Sequence, residues 1–454
     1  MRELQAELAY DPSSEATLAR ELRACMDASP RQAAAFDAIT NAIDAGESKL
    51  FFVDGPGGTG KSFLFTSILH YIRGRGEIAV ACSWNGLAAS LLPGGRTCHA
   101  RFGFPVPLPA ESVPWRVTAR TGKGQLLMKA HIILWDEVST TPARAMDAAN
   151  ACLQDLCGSE LPFGGKIVVF GGDTRQPLPV VEGGSRADIV ASAVTSSLVW
   201  THCSLIAISL AFNLRAATDP EFRAFLLRVG NGRQPFQLEY GPAAIFLPAD
   251  IAPPHEWSLQ DLLEFVHGDV VALSQRLVRD PTDANLDFFG KRALLAPKNE
   301  DVSKLNALLL QYFPPEQVQS FPSTTYISGG SPDDYAAYPV EFLNSLELSG
   351  LPPAILKLCP GAIVILLRNL AYEQGLCNGT RCIVLRPTPR ILDVMVLTGY
   401  SRGKRAWIPR IPLSPTETVL PVRIIRRQFP VRLAWAMTIN KAQGQSLLRH
   451  LAFP

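Results

Sequence analysis

The sequence predicts an α/β fold in which parallel β-sheets are covered by helices on both faces. Its first half alternates short apolar segments typical of buried strands with amphipathic segments typical of helices, and such alternation produces parallel sheets. Two of the apolar segments, residues 50–53 and 131–135, lead into sequences of the kind found at phosphate-binding sites. The chain has 454 residues, enough for two or three domains with sizeable cores.

The first chemical element is a glycine-rich loop at residues 55–62. It reads Gly-Pro-Gly-Gly-Thr-Gly-Lys-Ser between an apolar strand and a helical pattern, which is the arrangement of a phosphate-binding loop. Glycines let peptide N–H groups converge on a phosphate, the lysine meets the β and γ phosphates, and the serine hydroxyl suits Mg²⁺. The residues assigned to nucleotide binding in this loop are Gly55, Gly57, Gly58, Thr59, Gly60, Lys61 and Ser62.

Two further strands end in residues suited to the same chemistry. The segment 131–135 leads into Asp136 and Glu137, which predicts one carboxylate near Mg²⁺ and another that orients and deprotonates water. Residues 166–170 lead into Gly-Gly-Asp-Thr-Arg-Gln, where the amide of Gln176 either senses the γ phosphate or belongs to a polar turn. Because the carboxyl ends of parallel strands meet at one edge of a sheet, we expect these groups to lie close together.

Gln32 and His99 each allow two interpretations. Ser29 and Pro30 begin a predicted helix, and Gln32 either completes a capping box with the serine or reads an adenine edge beside the loop. Residues 93–129 are rich in Gly and Pro, which predicts a small insertion rather than core structure. His99 lies near the start of this insertion, and a lone histidine is more often structural than a nucleic-acid contact.

Composition limits the class of protein. Hydrophobic residues make up 47% and charged residues 19% of the chain, which is typical of a globular protein. There is no apolar window long enough for a membrane span and no signal-peptide pattern, so we expect an intracellular protein.

The nine cysteines include no Cys-x-x-Cys pair and are interpreted as free thiols. Ten Lys or Arg but one acidic residue follow position 400, which predicts salt-sensitive binding to polyanions.

Taken together, the motifs resemble the petite-integration-frequency (Pif) DNA helicases of superfamily one, especially the branch found in Helitron-type transposons. The resemblance covers residues 29–447 in unbroken order. It is carried by residues 55–62, 135–137, 162–176, 184–189, 213–215 and 437–446. It implies an ATP-dependent helicase that moves 5′-to-3′ on single-stranded DNA and unwinds forked duplex, in DNA repair, recombination, or telomere or transposon maintenance.

The resemblance also implies roles for individual residues. The catalytic residues are Lys61, Glu137, Gln176 and Arg215, the last as an arginine finger of the kind that raises rates by about 10³–10⁵. Adenine is contacted by Gln32, Mg²⁺ is held by Ser62 and Asp136, and Gln443 touches the nucleotide. Contacts with DNA are expected from Thr97, His99, Thr438 and Lys441, whose donor groups suit phosphate oxygens.

The implied organisation has two RecA-like domains. An extension at 1–28 precedes the first domain at 29–210, which contains the insertion at 93–129. The second domain covers 211–454 and is expected to lack its C-terminal part. Short strands divided by Gly, Asn and Pro turns at 361–425 match a small β-barrel insertion. We expect a monomer, in the nucleus or alternatively the mitochondrion.

Two departures from the family pattern are visible. Ser83-Trp84-Asn85-Gly86 stands where the family has a Thr-Gly pair that binds DNA, and the chain ends before a final Ala-Leu-Ser-Arg motif. Three hypotheses follow: a DNA helicase, a transposon-derived remnant that binds ATP or DNA without unwinding, and an ATPase that uses a protein partner in place of DNA. The complete hydrolytic set in the first half favours them in that order.

Overall fold

The computed structural model describes residues 2–106, 108–109, 113–181, 183–210, 219–242, 244–248, 251, 257–348, 350–415, 420–443, 445, 447 and 449–452. The chain divides into two compact units, Met1–Pro248 and Ala249–Pro454. This division falls later than the boundary expected after residue 210, and a hydrogen bond from Arg175 to Asn231 ties the intervening segment to the first unit. Among the described helices, none has the length and apolar character needed to cross a membrane.

The first unit is built on a six-stranded sheet. Its strands are β1 (Leu50–Asp54), β2 (Ala79–Ser83), β3 (Arg96–Thr97), β4 (Ile132–Asp136), β5 (Ile167–Gly172) and β6 (Leu205–Ser209). Their order is β3-β2-β4-β5-β1-β6, and all neighbouring pairs run parallel. The four central strands are buried except at Asp54, as expected for a sheet covered on both faces. The predicted parallel sheet is confirmed.

Helices cover both faces of this sheet. They are α1 (Arg2–Leu8), α2 (Pro12–Cys25), α3 (Pro30–Asp44), α4 (Lys61–Gly74), α5 (Gly86–Ser90), α6 (Cys98–Phe102), α7 (Gly122–Lys129), α8 (Ala143–Cys157), α9 (Arg186–Ser192), α10 (Leu198–His202) and α11 (Pro220–Gly230). Alternate residues of a strand point to opposite faces. Phe51 and Val53 of β1 therefore join a core with α3 and α4, whereas Leu50 and Phe52 join a core with α7 and α8.

The N-terminal extension and the segment 93–129 both take part in the first unit's packing. In the N-terminal extension, α2 packs on α4, and Glu7 forms a buried ion pair with Arg73 at 2.6 Å. The segment 93–129 was expected to be an insertion outside the core. Instead it contributes edge strand β3, and its Phe102 and Phe104 are buried in the core, because Gly and Pro mark turns without excluding core residues between them.

The second unit combines one parallel sheet with antiparallel sheets. Its strands are β7 (Arg292–Ala296), β8 (Gln319–Pro322), β9 (Thr324–Ile327), β10 (Ile355–Leu358), β11 (Ile363–Leu366), β12 (Arg381–Pro387), β13 (Ile391–Val396), β14 (Arg405–Pro409), β15 (Ile411–Leu413), β16 (Ile424–Gln428), β17 (Val431–Leu433), β18 (Ala436–Thr438) and β19 (Arg449–Ala452). Strands β18-β7-β19 form the parallel sheet, in that order. The helices are α12 (Leu259–His267), α13 (Val270–Arg279), α14 (Asp283–Gly290), α15 (Asn299–Gln311), α16 (Pro332–Ala337), α17 (Val340–Ser345) and α18 (Ile439–Ala442).

The predicted β-barrel at 361–425 appears as open sheets. Five antiparallel strands follow the order β14-β13-β12-β11-β17, and a separate sheet has the order β15-β16-β9. In the described residues, no pairing joins β14 to β17, so the five strands do not close into a ring. Turn residues mark where strands end, but closure depends on pairing between distant strands, which turn signals do not encode.

Candidate nucleotide-binding site and nucleic-acid interface

The phosphate-binding loop lies between β1 and α4, at the carboxyl edge of the parallel sheet. Gly58 and Gly60 have φ values of 82° and 85°, a region that favours glycine. At Gly55 the constraint is close approach, because a β-carbon there would lie 2.5 Å from the Thr59 hydroxyl oxygen. Gly57 has neither constraint, so the dihedral explanation for the loop glycines holds at Gly58 and Gly60 and is wrong at Gly57.

Lys61 lies against the loop that precedes it. Its side chain is buried, and its ammonium donates to the carbonyl of Gly55 and, at 3.3 Å, to that of Pro56. The loop is braced at its other end by Gln32, whose amide nitrogen donates to the Thr59 carbonyl at 2.9 Å. Lys61 is therefore held where a nucleotide phosphate would meet a positive charge.

Gln32 does not form the capping box that was one of its two predicted roles. Ser29 precedes α3 but makes no capping hydrogen bond through its side chain. Gln32 is buried against the phosphate-binding loop instead, because its amide satisfies the otherwise free carbonyl of Thr59. Contact between Gln32 and adenine stays a prediction.

Ser62 and Asp136, the two residues predicted to hold Mg²⁺, lie next to each other. The Ser62 Oγ lies 3.4 Å from Asp136 Oδ2, and the backbone N–H of Glu137 donates to Asp136 Oδ1 at 2.9 Å. Burial raises the pKa of Asp136, and the charge of Lys61 opposes that shift. A hydroxyl and a carboxylate side by side are oxygen ligands that suit Mg²⁺, so this pair fits the ion.

Glu137 occupies an unusual position beside that pair. Its φ is 51°, a left-handed conformation that is uncommon for a residue other than glycine and is concentrated at functional sites. Burial raises its pKa to about 7, with a further contribution from the charge of Asp136. Its Oε2 is buried and has no hydrogen-bond partner among the described residues. Glu137 thus has an unused acceptor oxygen next to the metal-binding pair.

Gln176 lies close to Glu137, as expected for residues that follow neighbouring strands. Its side chain is near enough to lower the pKa of the Glu137 carboxyl. Its Oε1 accepts a hydrogen bond from Ser139 at 3.2 Å. Lys61, Ser62, Asp136, Glu137 and Gln176 all lie in the first unit, at the ends of three neighbouring strands.

Comparison with known proteins identifies the family. Residues 28–239 match the PIF1-like helicase family, and residues 341–386 match the domain described as "DNA helicase Pif1, 2B domain". The chain is 33% identical over 428 residues to the ATP-dependent DNA helicase Pif1 of Bdellovibrio bacteriovorus, covering 93% of this chain and 81% of that protein. The chain belongs to the PIF1-like helicase family.

Other PIF1-like proteins extend the comparison. Rat ATP-dependent DNA helicase PIF1 is 26% identical over 90% of this chain, which spans 55% of the rat protein's length. The crystal structure of Pif1 helicase from Bacteroides in complex with ADP-AlF3 and ssDNA superposes with a TM-score of 0.62 at 22% identity, covering 92% of this chain and 85% of that one. This likeness confirms the predicted RecA-like fold.

The predicted DNA contacts of the first unit lie together. Thr97 caps α6, because its hydroxyl accepts a hydrogen bond from the N–H of Ala100 at 3.3 Å. The ring of His99 packs against Trp84, with centroids 4.2 Å apart. Burial lowers the pKa of His99 to about 4, so the ring is neutral near pH 7. Trp84 was noted in sequence as a departure from the family motif, and its partnership with His99 was not foreseen.

In the second unit, Thr438 and Lys441 line the same cavity, of about 230 Å³. Thr438 immediately precedes α18 as its N-cap residue, but its side chain makes no capping hydrogen bond. The Nε2 of Gln443 is buried without a hydrogen-bond partner among the described residues. Arg215 lies outside the described residues, and its role as an arginine finger stays a prediction.

The C-terminal positive charge is less available than its sequence density predicts. Arg426 is buried, and its guanidinium donates to Thr325 Oγ1 and to the carbonyls of Pro352 and Leu343. Arg405 pairs with Asp393. Arg426 stabilises the antiparallel sheets and their loops, so it is expected to add little to binding of a polyanion, whereas Arg405 is paired but exposed.

The cysteines have the predicted state. All nine are free, six of them are buried, and burial raises the pKa of Cys152 to about 12. Within the described residues no group of three or more His, Cys, Asp or Glu side chains is arranged to hold a metal ion. A structural zinc site is therefore not found in that part of the chain.

The sequence analysis did not identify Arg175 as a functional residue. Its guanidinium forms two parallel hydrogen bonds with Asp54, both of 3.0 Å. The feature of the sequence that could have pointed to Arg175 was its position, one residue before Gln176 in a segment that follows a buried strand. The identity of its partner was not accessible, because Asp54 is 121 positions away.

Proposed function

We propose that the chain is an ATP-dependent DNA helicase that couples ATP hydrolysis to 5′-to-3′ movement on single-stranded DNA. One observation carries the hydrolytic part: Glu137, whose buried Oε2 has no hydrogen-bond partner among the described residues, adjoins Asp136 of the Ser62–Asp136 pair. The names of the PIF1 relatives support the nucleic-acid part. The Helitron branch, a role in DNA repair, recombination or transposon maintenance, a monomeric state and a nuclear location stay predictions.

The side chains have separable tasks in hydrolysis. The N–H groups of the loop and the ammonium of Lys61 bind the phosphates, while Ser62 and Asp136 would hold Mg²⁺. When bound, Mg²⁺ neutralises charge on the phosphate oxygens. Glu137 Oε2 accepts a proton from the attacking water. Gln176, which is held by Ser139, senses the γ phosphate.

DNA contact in the first unit combines two kinds of interaction. Thr97 is buried and its hydroxyl oxygen accepts from the Ala100 N–H, so its O–H hydrogen is what it offers to a phosphate oxygen. Trp84 and the neutral ring of His99 provide a half-exposed aromatic pair on which a base can stack, and stacking of this kind does not depend on base identity. In the second unit, Thr438 and Lys441 would add backbone contacts to the strand.

The test is ATP hydrolysis with and without single-stranded DNA at fixed salt. We expect DNA to stimulate turnover, and we expect Lys61→Ala and Glu137→Gln to abolish it, by about 10²–10⁴ for the loss of the base. The two variants should differ in their affinity for ATP, since Glu137→Gln keeps the phosphate contacts and should still bind it. Lys49→Ala is the matched control. Lys49 lies just before β1, the strand that leads into the phosphate-binding loop, and pairs with Glu47 at the surface.

Two further measurements decide the direction of movement on DNA and distinguish the two alternative hypotheses. Unwinding of duplexes that carry either a 5′ or a 3′ single-stranded tail should occur with the 5′ tail alone. ATP binding without turnover would identify a remnant that cannot couple hydrolysis to movement. Turnover that single-stranded DNA does not stimulate would favour an ATPase that acts on a protein partner, and would overturn the helicase proposal.

A further inference from the structure

Arg175 joins three elements of the first unit through one guanidinium group. It contacts Asp54 through both Nη atoms at 3.0 Å, Asp173 through Nη1 at 2.9 Å, and the side-chain oxygen of Asn231 through Nε at 3.0 Å. Asp54 ends β1, Asp173 follows β5, and Asn231 follows α11. Five donor hydrogens in a rigid plane allow arginine alone to make all these bonds at once.

The two carboxylates adjoin the predicted hydrolytic residues. Asp54 is the residue before Gly55, whose carbonyl accepts from Lys61. Asp173 begins the turn that presents Gln176, since its carbonyl accepts from the backbone N–H of Gln176 at 3.1 Å. The guanidinium therefore joins the start of the phosphate-binding loop to the start of the turn that carries Gln176.

The surroundings of Arg175 favour a fixed geometry. Its side chain is 22% exposed, and those of Asp54 and Asp173 are 20% and 8% exposed, so solvent screens the three charges only in part. Without the guanidinium, the two carboxylates would repel each other. Gly230 also contributes, because a β-carbon there would lie 3.1 Å from Arg175 Cδ, and glycine lets the arginine stem pass close to the end of α11.

We propose that Arg175 is a positioning residue that holds Gln176 in register with the phosphate-binding loop. The inference rests on the proposed function, since it concerns the same hydrolysis. Two contacts that do not involve Arg175 also hold the phosphate-binding loop in place. The Gly55 N–H donates to the Gly172 carbonyl at 3.1 Å, and the Gln32 amide donates to the Thr59 carbonyl. Loss of Arg175 therefore disturbs the step that needs Gln176 and Glu137 more than it disturbs nucleotide binding.

The experiment compares Arg175→Ala and Arg175→Lys with the unmodified chain. The readouts are kcat and KM for ATP with single-stranded DNA present, and the Kd for a fluorescent ATP analogue. We expect Arg175→Ala to lower kcat by about 10- to 100-fold, the range for misplaced catalytic groups, with Kd within about threefold. Lysine keeps the charge but not the two parallel bonds, so Arg175→Lys should recover part of kcat.

Asn231→Ala is the matched control, because it removes the contact with the end of α11 and leaves both carboxylate contacts. Its kcat should stay within about twofold of the unmodified chain if the carboxylates carry the effect. Far-UV circular dichroism identifies a variant that does not fold. Should Arg175→Ala fail that check, the folded Arg175→Lys variant decides the inference through its kcat.

The outcomes separate this inference from the proposed function. Normal turnover in the unmodified chain with unchanged kcat in Arg175→Ala and Arg175→Lys would overturn the positioning role alone. A parallel loss of kcat and analogue binding would also overturn it, since it would show a role in the phosphate-binding loop as a whole. Absence of turnover in the unmodified chain would overturn both.

Discussion

The ring of Trp84 packs against the ring of His99, with their centroids 4.2 Å apart and their planes inclined by 43°. His99 in turn contacts the buried Phe104 edge to face at 6.5 Å. Trp84 follows β2 and His99 lies in α6, so the pair is fixed on two elements that adjoin the parallel sheet. The two rings, supported by a core residue, form a rigid aromatic surface, to which the proposed function assigns a nucleobase.

Trp84→Leu should weaken binding of single-stranded DNA without changing the affinity for ATP. Stacking of one base on an aromatic side chain is worth about 1–3 kcal/mol, so we expect roughly a 5- to 150-fold rise in Kd, measured by fluorescence anisotropy. Trp407→Leu is the control, because Trp407 is an exposed tryptophan of the second unit.

An oligonucleotide with abasic sites tests the cause of that loss. The unmodified chain should bind it more weakly than normal DNA, whereas Trp84→Leu should bind both about equally, since the missing ring has no base to contact. If the abasic sites weaken both proteins to the same degree, Trp84 does not stack on a base.

Glu7→Ala should destabilise the first unit. Arg73 is 1% exposed, pairs with Glu7 at 2.6 Å, and lies over the ring of Tyr10 at 3.8 Å. Removal of one partner of a buried ion pair leaves an uncompensated charge and costs about 3–5 kcal/mol. The measurement is chemical denaturation followed by circular dichroism.

Asp27→Ala is the control for that prediction. Asp27 pairs with Arg23 at 3.0 Å, but its side chain is 76% exposed. Exposed pairs contribute about 0–1 kcal/mol, so this variant should unfold close to the unmodified chain. Equal losses in the two variants would argue against a structural role for the N-terminal helix α1.

Acid should destabilise the first unit through His99. Burial lowers its pKa to about 4, whereas an unfolded histidine titrates near about 6.5. Between these values the unfolded chain binds more protons than the folded chain, so the free energy of unfolding falls as the pH is lowered. The stability that the neutral ring contributes is fully present above about pH 6.5 and is lost as the pH falls toward 4. His99→Phe should therefore lose less stability than the unmodified chain between pH 7 and 5, by about 2 kcal/mol.

Thermal unfolding at the two pH values checks the prediction, with His202→Phe as the control because His202 is exposed. An unchanged pH dependence in His99→Phe would mean that the ring is not protonated on unfolding in this range. If His99→Phe and His202→Phe lose the same stability between pH 7 and 5, the acid sensitivity belongs to groups other than His99.

The sequence was sufficient for the features that local patterns encode. The phosphate-binding loop, the strand that ends in Asp136 and Glu137, and the strand that precedes Gln176 were placed correctly, because each combines an apolar run with residues of specific chemistry. Parallel topology then required their ends to lie together, and the structure brings Ser62 next to Asp136 and Gln176 next to Ser139, two residues after Glu137.

Tertiary structure alone decided the features that join distant parts of the chain. Arg175 meets Asp54 across 121 positions, and Arg73 meets Glu7 across 66. The antiparallel strands of the second unit form open sheets although their turns match a barrel, and the Gly- and Pro-rich segment at 93–129 supplies core residues. The physical reason is common to all of them: propensity and periodicity act over a few residues, whereas ion pairs, strand pairing and burial depend on which distant residues the fold brings together.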